Sequence, residues 1–107
     1  MFKFIELKKI KDDKYKYKIV FLNLETNKEK TVKFGGAGYN DYIIYNQIST
    51  PEEADKKKEL YIKRHEKNED WKDPFSRGAL SLYLLWNKRT LKASLNDYLS
   101  KFKSIIK

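Results

Sequence analysis

The chain contains no cysteine and a single histidine, and it has only two prolines and four glycines. The missing cysteine excludes thiolate metal sites, disulfide staples and Cys nucleophiles, and it points to a reducing compartment. One histidine without cysteine leaves a zinc site short of good ligands. So few prolines and glycines leave no room for a long linker. No apolar run approaches the roughly 18 residues of a membrane span, and the longest, Leu82 to Trp86, has the length of a core segment. Charges interrupt the start of the chain, Met1-Phe2-Lys3-Phe4-Ile5-Glu6, before any signal core can form. These features lead to the expectation of no cofactor, no metal, no catalytic apparatus and no membrane partner.

What is present is charge and aromatic mass. The 107 residues suit one domain with one core, expected to span 1–107. Charged residues make up 36% of the chain, a level that occurs in disordered proteins, but aromatics at 15% argue for order. The net charge is +9, and it is uneven. Residues 1–34 carry net +5, residues 35–75 net −2 and residues 76–107 net +6. If the two basic ends meet, they form one surface that attracts polyanions.

The pattern predicts an α+β fold, with a three-stranded antiparallel N-terminal meander packed on about three C-terminal helices. Residues 2–10 read as a first strand and 14–24 as a second. In the second, Tyr15, Tyr17, Ile19 and Phe21 share one face. Both faces turn apolar in its second half, so it should be central. Glu25 to Lys28 reads as a turn, with Asn27 tolerant of positive φ. Residues 29–34 form the return strand, with Val32 and Phe34 inward. The three glycines between Phe34 and Tyr39 mark a sharp turn. Residues 40–49 read as a connector anchored by Tyr42 to Tyr45.

Thr50-Pro51-Glu52-Glu53 is a helix start, with Thr50 as cap and Glu53 completing a capping box. That helix should reach about residue 67. Ala54, Tyr61, Ile62 and His65 lie along one stripe, and Lys56, Lys57, Lys63 and Arg64 lie mainly off it. Asp73-Pro74 should cap a buried helix over 75–87, apolar nearly all round. Thr90 should cap a last helix to about 105, striped by Leu91, Leu95, Tyr98, Leu99 and Phe102.

The blocks Phe34 to Tyr42, Tyr61-Ile62-Lys63-Arg64-His65, Glu69-Asp70-Trp71, Gly78-Ala79-Leu80-Ser81 and Leu84 to Lys88 also resemble a known family. It comprises small uncharacterised proteins encoded by large double-stranded DNA viruses of the mimivirus and chlorella-virus kind. The resemblance covers about residues 15–96. This chain departs from it in a longer apolar insert, Ile43 to Ser49, after the glycine loop. The resemblance implies a viral setting, in host cytoplasm, nucleus or virion, and implies no activity.

Each functional motif has a plainer counterpart. The glycine loop follows a strand as phosphate loops do, yet it lacks the Gly-Lys-Ser/Thr ending and opens on no helix directly. His65 reads as a hydrogen-bonded residue packed beside Tyr61. Trp86 belongs to the core, and Trp71 sits in a polar loop. Tyr15 and Tyr17 alternate with Lys16 and Lys18, as on sheets that stack bases beside phosphate-binding ammoniums, or as a core face backed by a solvated one. Arg77, Lys88, Arg89 and Lys92 cluster on a helix–turn–helix stretch suited to phosphate contact.

The leading expectation is non-specific nucleic-acid binding, with DNA the favoured polymer, through Lys16, Lys18, Lys63, Arg64, Arg77, Lys88, Arg89 and Lys92. One alternative is a structural or adaptor module that binds a viral or host protein. It draws support from the 21 lysines against three arginines, since direct nucleic-acid readers favour arginine for its fork. Another is a small metal-dependent nuclease, built on Tyr39, Asp41, Arg64 and His65.

Overall fold

The computed structural model describes residues 1–107. Three antiparallel strands run in chain order: β1 (Phe2–Lys9), β2 (Tyr15–Asn23) and β3 (Lys28–Gly36). The expected meander is present, and β2 lies at its centre. Ile19 and Phe21 are fully buried on the core face, and Val20 is buried on the other. Lys16 and Lys18 leave the first half of the strand polar on that second face. The β2–β3 turn closes through Asn27, whose φ of 59° is one that Asn tolerates. A bulge between Phe4 and Glu6 breaks the β1–β2 register.

β3 runs two residues beyond the expected end at residue 34, with Gly36 opposite Tyr15. Gly35 adopts φ +78°, and a Cβ there would lie 2.7 Å from Leu85 Cδ1. The missing side chain therefore lets the strand end pack directly on the helical layer.

The expected connector over 40–49 is instead a helix, α1 (Tyr42–Ile48). Asp41 caps it by accepting from the Ile44 N–H at 3.0 Å, and Tyr42 and Ile43 are buried. α2 (Pro51–His65) begins as expected, with Thr50 Oγ1 accepting from the Glu53 N–H at 3.2 Å. The reciprocal bond of a capping box does not form; Glu53 is exposed. The helix stops two residues short of the expected end.

The helix expected over 75–87 starts later and changes pitch. α3 (Arg77–Leu80) is capped by Ser76, which accepts from the Ala79 N–H at 3.1 Å. Asp73 instead accepts from the Phe75 N–H at 3.0 Å, closing a turn before the helix. After one turn the helix widens into a π-helical turn, Ser81–Leu85, and Trp86 N–H reaches both Ser81 and Leu82 carbonyls at 3.2 Å. Ala79, Leu80, Leu84, Leu85 and Trp86 are buried, as an apolar circumference requires.

α4 (Leu91–Lys101) is capped by Thr90 as expected but ends before 105. The chain then turns and joins the free edge of β1. Phe2 N–H donates to Ile105 O at 2.8 Å, Lys107 N–H to Phe2 O at 2.7 Å and Phe4 N–H to Lys107 O at 3.0 Å. Burial of Ile106 and its parallel bridge to Phe2 hold the tail there. Pairing of this kind covers a strand edge that would otherwise stay open. The two basic ends of the chain thus meet.

The core lies between the sheet and the helices, around Ile19, Phe21, Phe34, Leu80, Leu84, Leu85 and Tyr98. Phe75, just before α3, packs onto the sheet, 5.0 Å from the Phe21 ring and 4.7 Å from Phe2. No helix is long and apolar enough to cross a membrane.

Candidate functional site

A cleft of about 720 Å³ opens where the ends of β2 and β3, the 36–41 loop, α2 and the α3–π segment converge. That volume lies within the roughly 300–1,000 Å³ of small-ligand sites. One wall is a stack of rings. Trp86 and Tyr61 lie 4.3 Å apart and 7° from parallel, and His65 stacks on the other face of Tyr61 at 4.3 Å. Burial, and then the charge of Glu69, push the Tyr61 phenol up to about 12, while Arg64 acts in the opposite sense. His65 Nδ1 faces Glu69 Oε1 at 3.4 Å, and the Glu69 carboxylate packs directly on Gly78.

The opposite side is built on Lys16. Its Nζ donates to Asp41 Oδ2 at 2.6 Å and to the Tyr39 carbonyl at 2.7 Å. Both charged partners are shielded, with side-chain exposures of 13% and 3%. Asp41 therefore serves two elements, capping α1 with one oxygen and holding Lys16 with the other. It does not pair with Arg64. The desolvated phenol of Tyr17 is also raised, by burial first and then by the Asp41 charge.

The cleft carries Lys16, Lys57, Arg64 and Arg77 against Asp41 and Glu69, a balance of +2 leaving His65 out of the count. Lys16 is committed within the chain. Arg77 gives its Nε to Lys33 O at 3.1 Å and lies over the Tyr15 ring, which leaves its terminal nitrogens without a partner. Lys57 lies over the Tyr45 ring. The Arg64 side chain makes no hydrogen bond or ion pair inside the chain and is exposed. Free guanidinium donors beside aromatic faces can take a planar or phosphate-bearing anion.

Of the eight basic residues expected to bind, the cleft gathers Lys16, Arg64 and Arg77. The other five lie elsewhere. Lys18 reaches Glu6 at 3.9 Å. Lys63, Lys88 and Lys92 are exposed outside the cleft. Arg89 is engaged internally, donating to Asn46 Oδ1 at 2.6 Å and Asp55 Oδ2 at 3.2 Å and lying over the Tyr42 ring. Tyr42 donates to the same Asp55 carboxylate at 2.6 Å, and these two bonds hold Asp55 below the usual carboxylate range. Tyr39, Asp41, Arg64 and His65, grouped for the nuclease alternative, all line the cleft, but no three His, Asp or Glu side chains gather as metal ligands.

Lys57 and Glu69 were not singled out as binding residues. The signal for Lys57 is in the numbering: Lys57, Tyr61, Arg64 and His65 stand at i, i+4, i+7 and i+8, one helical face. Trp71 lies half-buried in the 66–76 connection, its indole N–H shielded and unpaired.

Comparison with family models, curated proteins and solved structures finds no match for the chain. The fold and cleft define a small α+β domain with a mixed aromatic and cationic cleft.

Proposed function

We propose that the protein binds nucleic acid without sequence preference, by neutralising phosphates. The observation that carries this reading is the union of the two basic ends. The Ile105–Lys107 tail is hydrogen-bonded to β1, so the +5 and +6 segments belong to one body in a chain of net +9. The cleft adds Lys57, Arg64 and Arg77, whose charges are not consumed by internal ion pairs. The resemblance to proteins of large DNA viruses favours DNA as the polymer and an infected cell or virion as the setting.

The mechanism is counterion release. Five engaged phosphates on a duplex give a log–log salt slope of roughly −4.5. Fluorescence anisotropy of a labelled oligonucleotide across a salt series measures it. No binding at low salt contradicts the reading.

A second reading, phosphodiester cleavage, has one observation in its favour. The His65–Glu69 pair orients an imidazole in a cleft that also holds Arg64 and Arg77. Incubation with plasmid and Mg²⁺ or Mn²⁺ tests it; cleavage that disappears in His65→Ala supports it.

A further inference from the structure

Tyr39 is 76% exposed, the most exposed large hydrophobic side chain in the protein. Single exposed aromatics are common and mean little alone. Tyr39 differs in how firmly its backbone is held. Its N–H donates to Gly36 O at 3.3 Å, and its carbonyl accepts from Lys16 Nζ at 2.7 Å. Lys16 is fixed in turn by the shielded Asp41 carboxylate that caps α1. The ring lies against the strand end because Gly36 has no side chain; a Cβ there would sit 2.9 Å from Tyr39 Cδ2. The fold thus presents an aromatic face to solvent on a braced turn at the rim of the cleft.

Other rings of the cleft are partly covered by neighbours. Tyr61 is sandwiched between Trp86 and His65. Tyr15 carries the Arg77 guanidinium on one face. Tyr39 is the most exposed ring of the cleft and the one best placed to stack on a ligand. Arg64 and the terminal nitrogens of Arg77 are the guanidinium donors free to hold an anion in the same cleft.

We propose that this cleft binds one unstacked nucleotide, with its base on Tyr39 and its phosphate between Arg64 and Arg77. This rests on the nucleic-acid reading above and narrows it to single strands. In a duplex both faces of each base are covered by neighbouring pairs. A base reaches Tyr39 only when unpaired or extruded. Stacking of this kind tolerates any base, since each has a π-face.

The test is anisotropy with a labelled single strand and a hairpin of equal length closed by a non-nucleotide linker, so that it has no unpaired base, on the native protein, Tyr39→Ala and Tyr39→Trp. Adenosine monophosphate is titrated in parallel and followed by backbone amide NMR at Gly36 to Asp41. The expected result is tighter binding of the single strand than of the hairpin. Tyr39→Ala should weaken the single strand by roughly 5- to 150-fold, the measured worth of one base stack. It should leave the hairpin unchanged, and Tyr39→Trp should restore the affinity. With so exposed a side chain, neither substitution threatens folding.

Equal binding of strand and hairpin, or equal weakening of both by Tyr39→Ala, overturns this inference and leaves general nucleic-acid binding standing. Shifts with the mononucleotide but no binding of either oligonucleotide overturn strand binding and assign the cleft to free nucleotides. No response in any arm overturns both.

Discussion

Lys16 Nζ lies 2.6 Å from Asp41 Oδ2, joining the centre of the sheet to the first turn of α1 across 25 positions of sequence. With side-chain exposures of 13% and 3%, this is the most shielded ion pair in the protein. Removing one partner strands the other charge away from water. Lys16→Ala should cost about 3–5 kcal/mol, the usual loss on breaking a buried pair. Lys18→Ala, whose partner Glu6 is half exposed at 3.9 Å, should cost under about 1 kcal/mol. Urea denaturation of the two variants compares them directly. Similar losses would show that the Lys16 pair is not special.

The close approach of Gly35 to Leu85 makes a second prediction. Gly35→Ala forces a side chain onto a backbone at φ +78° and into Leu85 Cδ1. The left-handed strain and the overpacking together should cost at least about 2 kcal/mol. Thermal or urea unfolding measures the loss. A neutral result would mean that the strand end moves away from the π-helical turn freely.

The Tyr98 hydroxyl donates to the Pro74 carbonyl at 2.7 Å, with both residues buried. Tyr98→Phe keeps the ring and leaves that carbonyl without its donor, at a cost of about 1–3 kcal/mol. The 66–76 connection should also loosen, which amide hydrogen exchange at Phe75 to Arg77 would detect.

Alkaline stability follows from the shielded phenols. Tyr17, Tyr42, Tyr61 and Tyr98 are all raised, chiefly by burial, Tyr61 to about 12. A raised phenol stays protonated in the folded chain while the unfolded chain ionises from about pH 10. Its contribution is therefore whole below pH 10 and is lost as the pH climbs towards about 12 for Tyr61. Phenolate absorbance should rise in two stages, the later coinciding with loss of the far-ultraviolet signal. One early stage for all eight tyrosines would contradict the burial of these four.

The sheet was legible in the sequence because alternation from Tyr15 to Phe21 and a turn at Asn27 are local signals. The starts of α2 and α4 were legible for the same reason, since Thr50 and Thr90 sit next to what they cap. α1 was not, because seven residues hold barely two turns of period. Its cap, Asp41, is also bonded to a lysine in β2, 25 positions away. The π-helical turn was hidden, since Ser81 to Leu85 is apolar on every side whatever the pitch. The C-terminal pairing with β1 is a contact between chain ends that no local pattern encodes.

The cleft was legible only in pieces. Arg64, Arg77 and Lys16 were expected to bind, but as parts of a broad surface rather than of one cavity. Its walls come from four separated segments. Lys57 belongs to the same helical face as Tyr61 and His65, but the apolar pattern of that helix also runs through Ala54 and Ile62, which masks it. Arg89 shows the reverse error: exposure and charge suggested a phosphate contact, whereas its donors go to Asn46 and Asp55.

The measurement that tests phosphate contact by the cleft most directly is the salt dependence of single-strand binding in an Arg64→Ala, Arg77→Ala double variant, with Arg89→Ala as control. Loss of the one phosphate held between Arg64 and Arg77 should make the log–log slope shallower by roughly 0.7. Arg89→Ala should leave it unchanged. An unaltered slope in the double variant, or an equal change in Arg89→Ala, would contradict phosphate binding by the cleft.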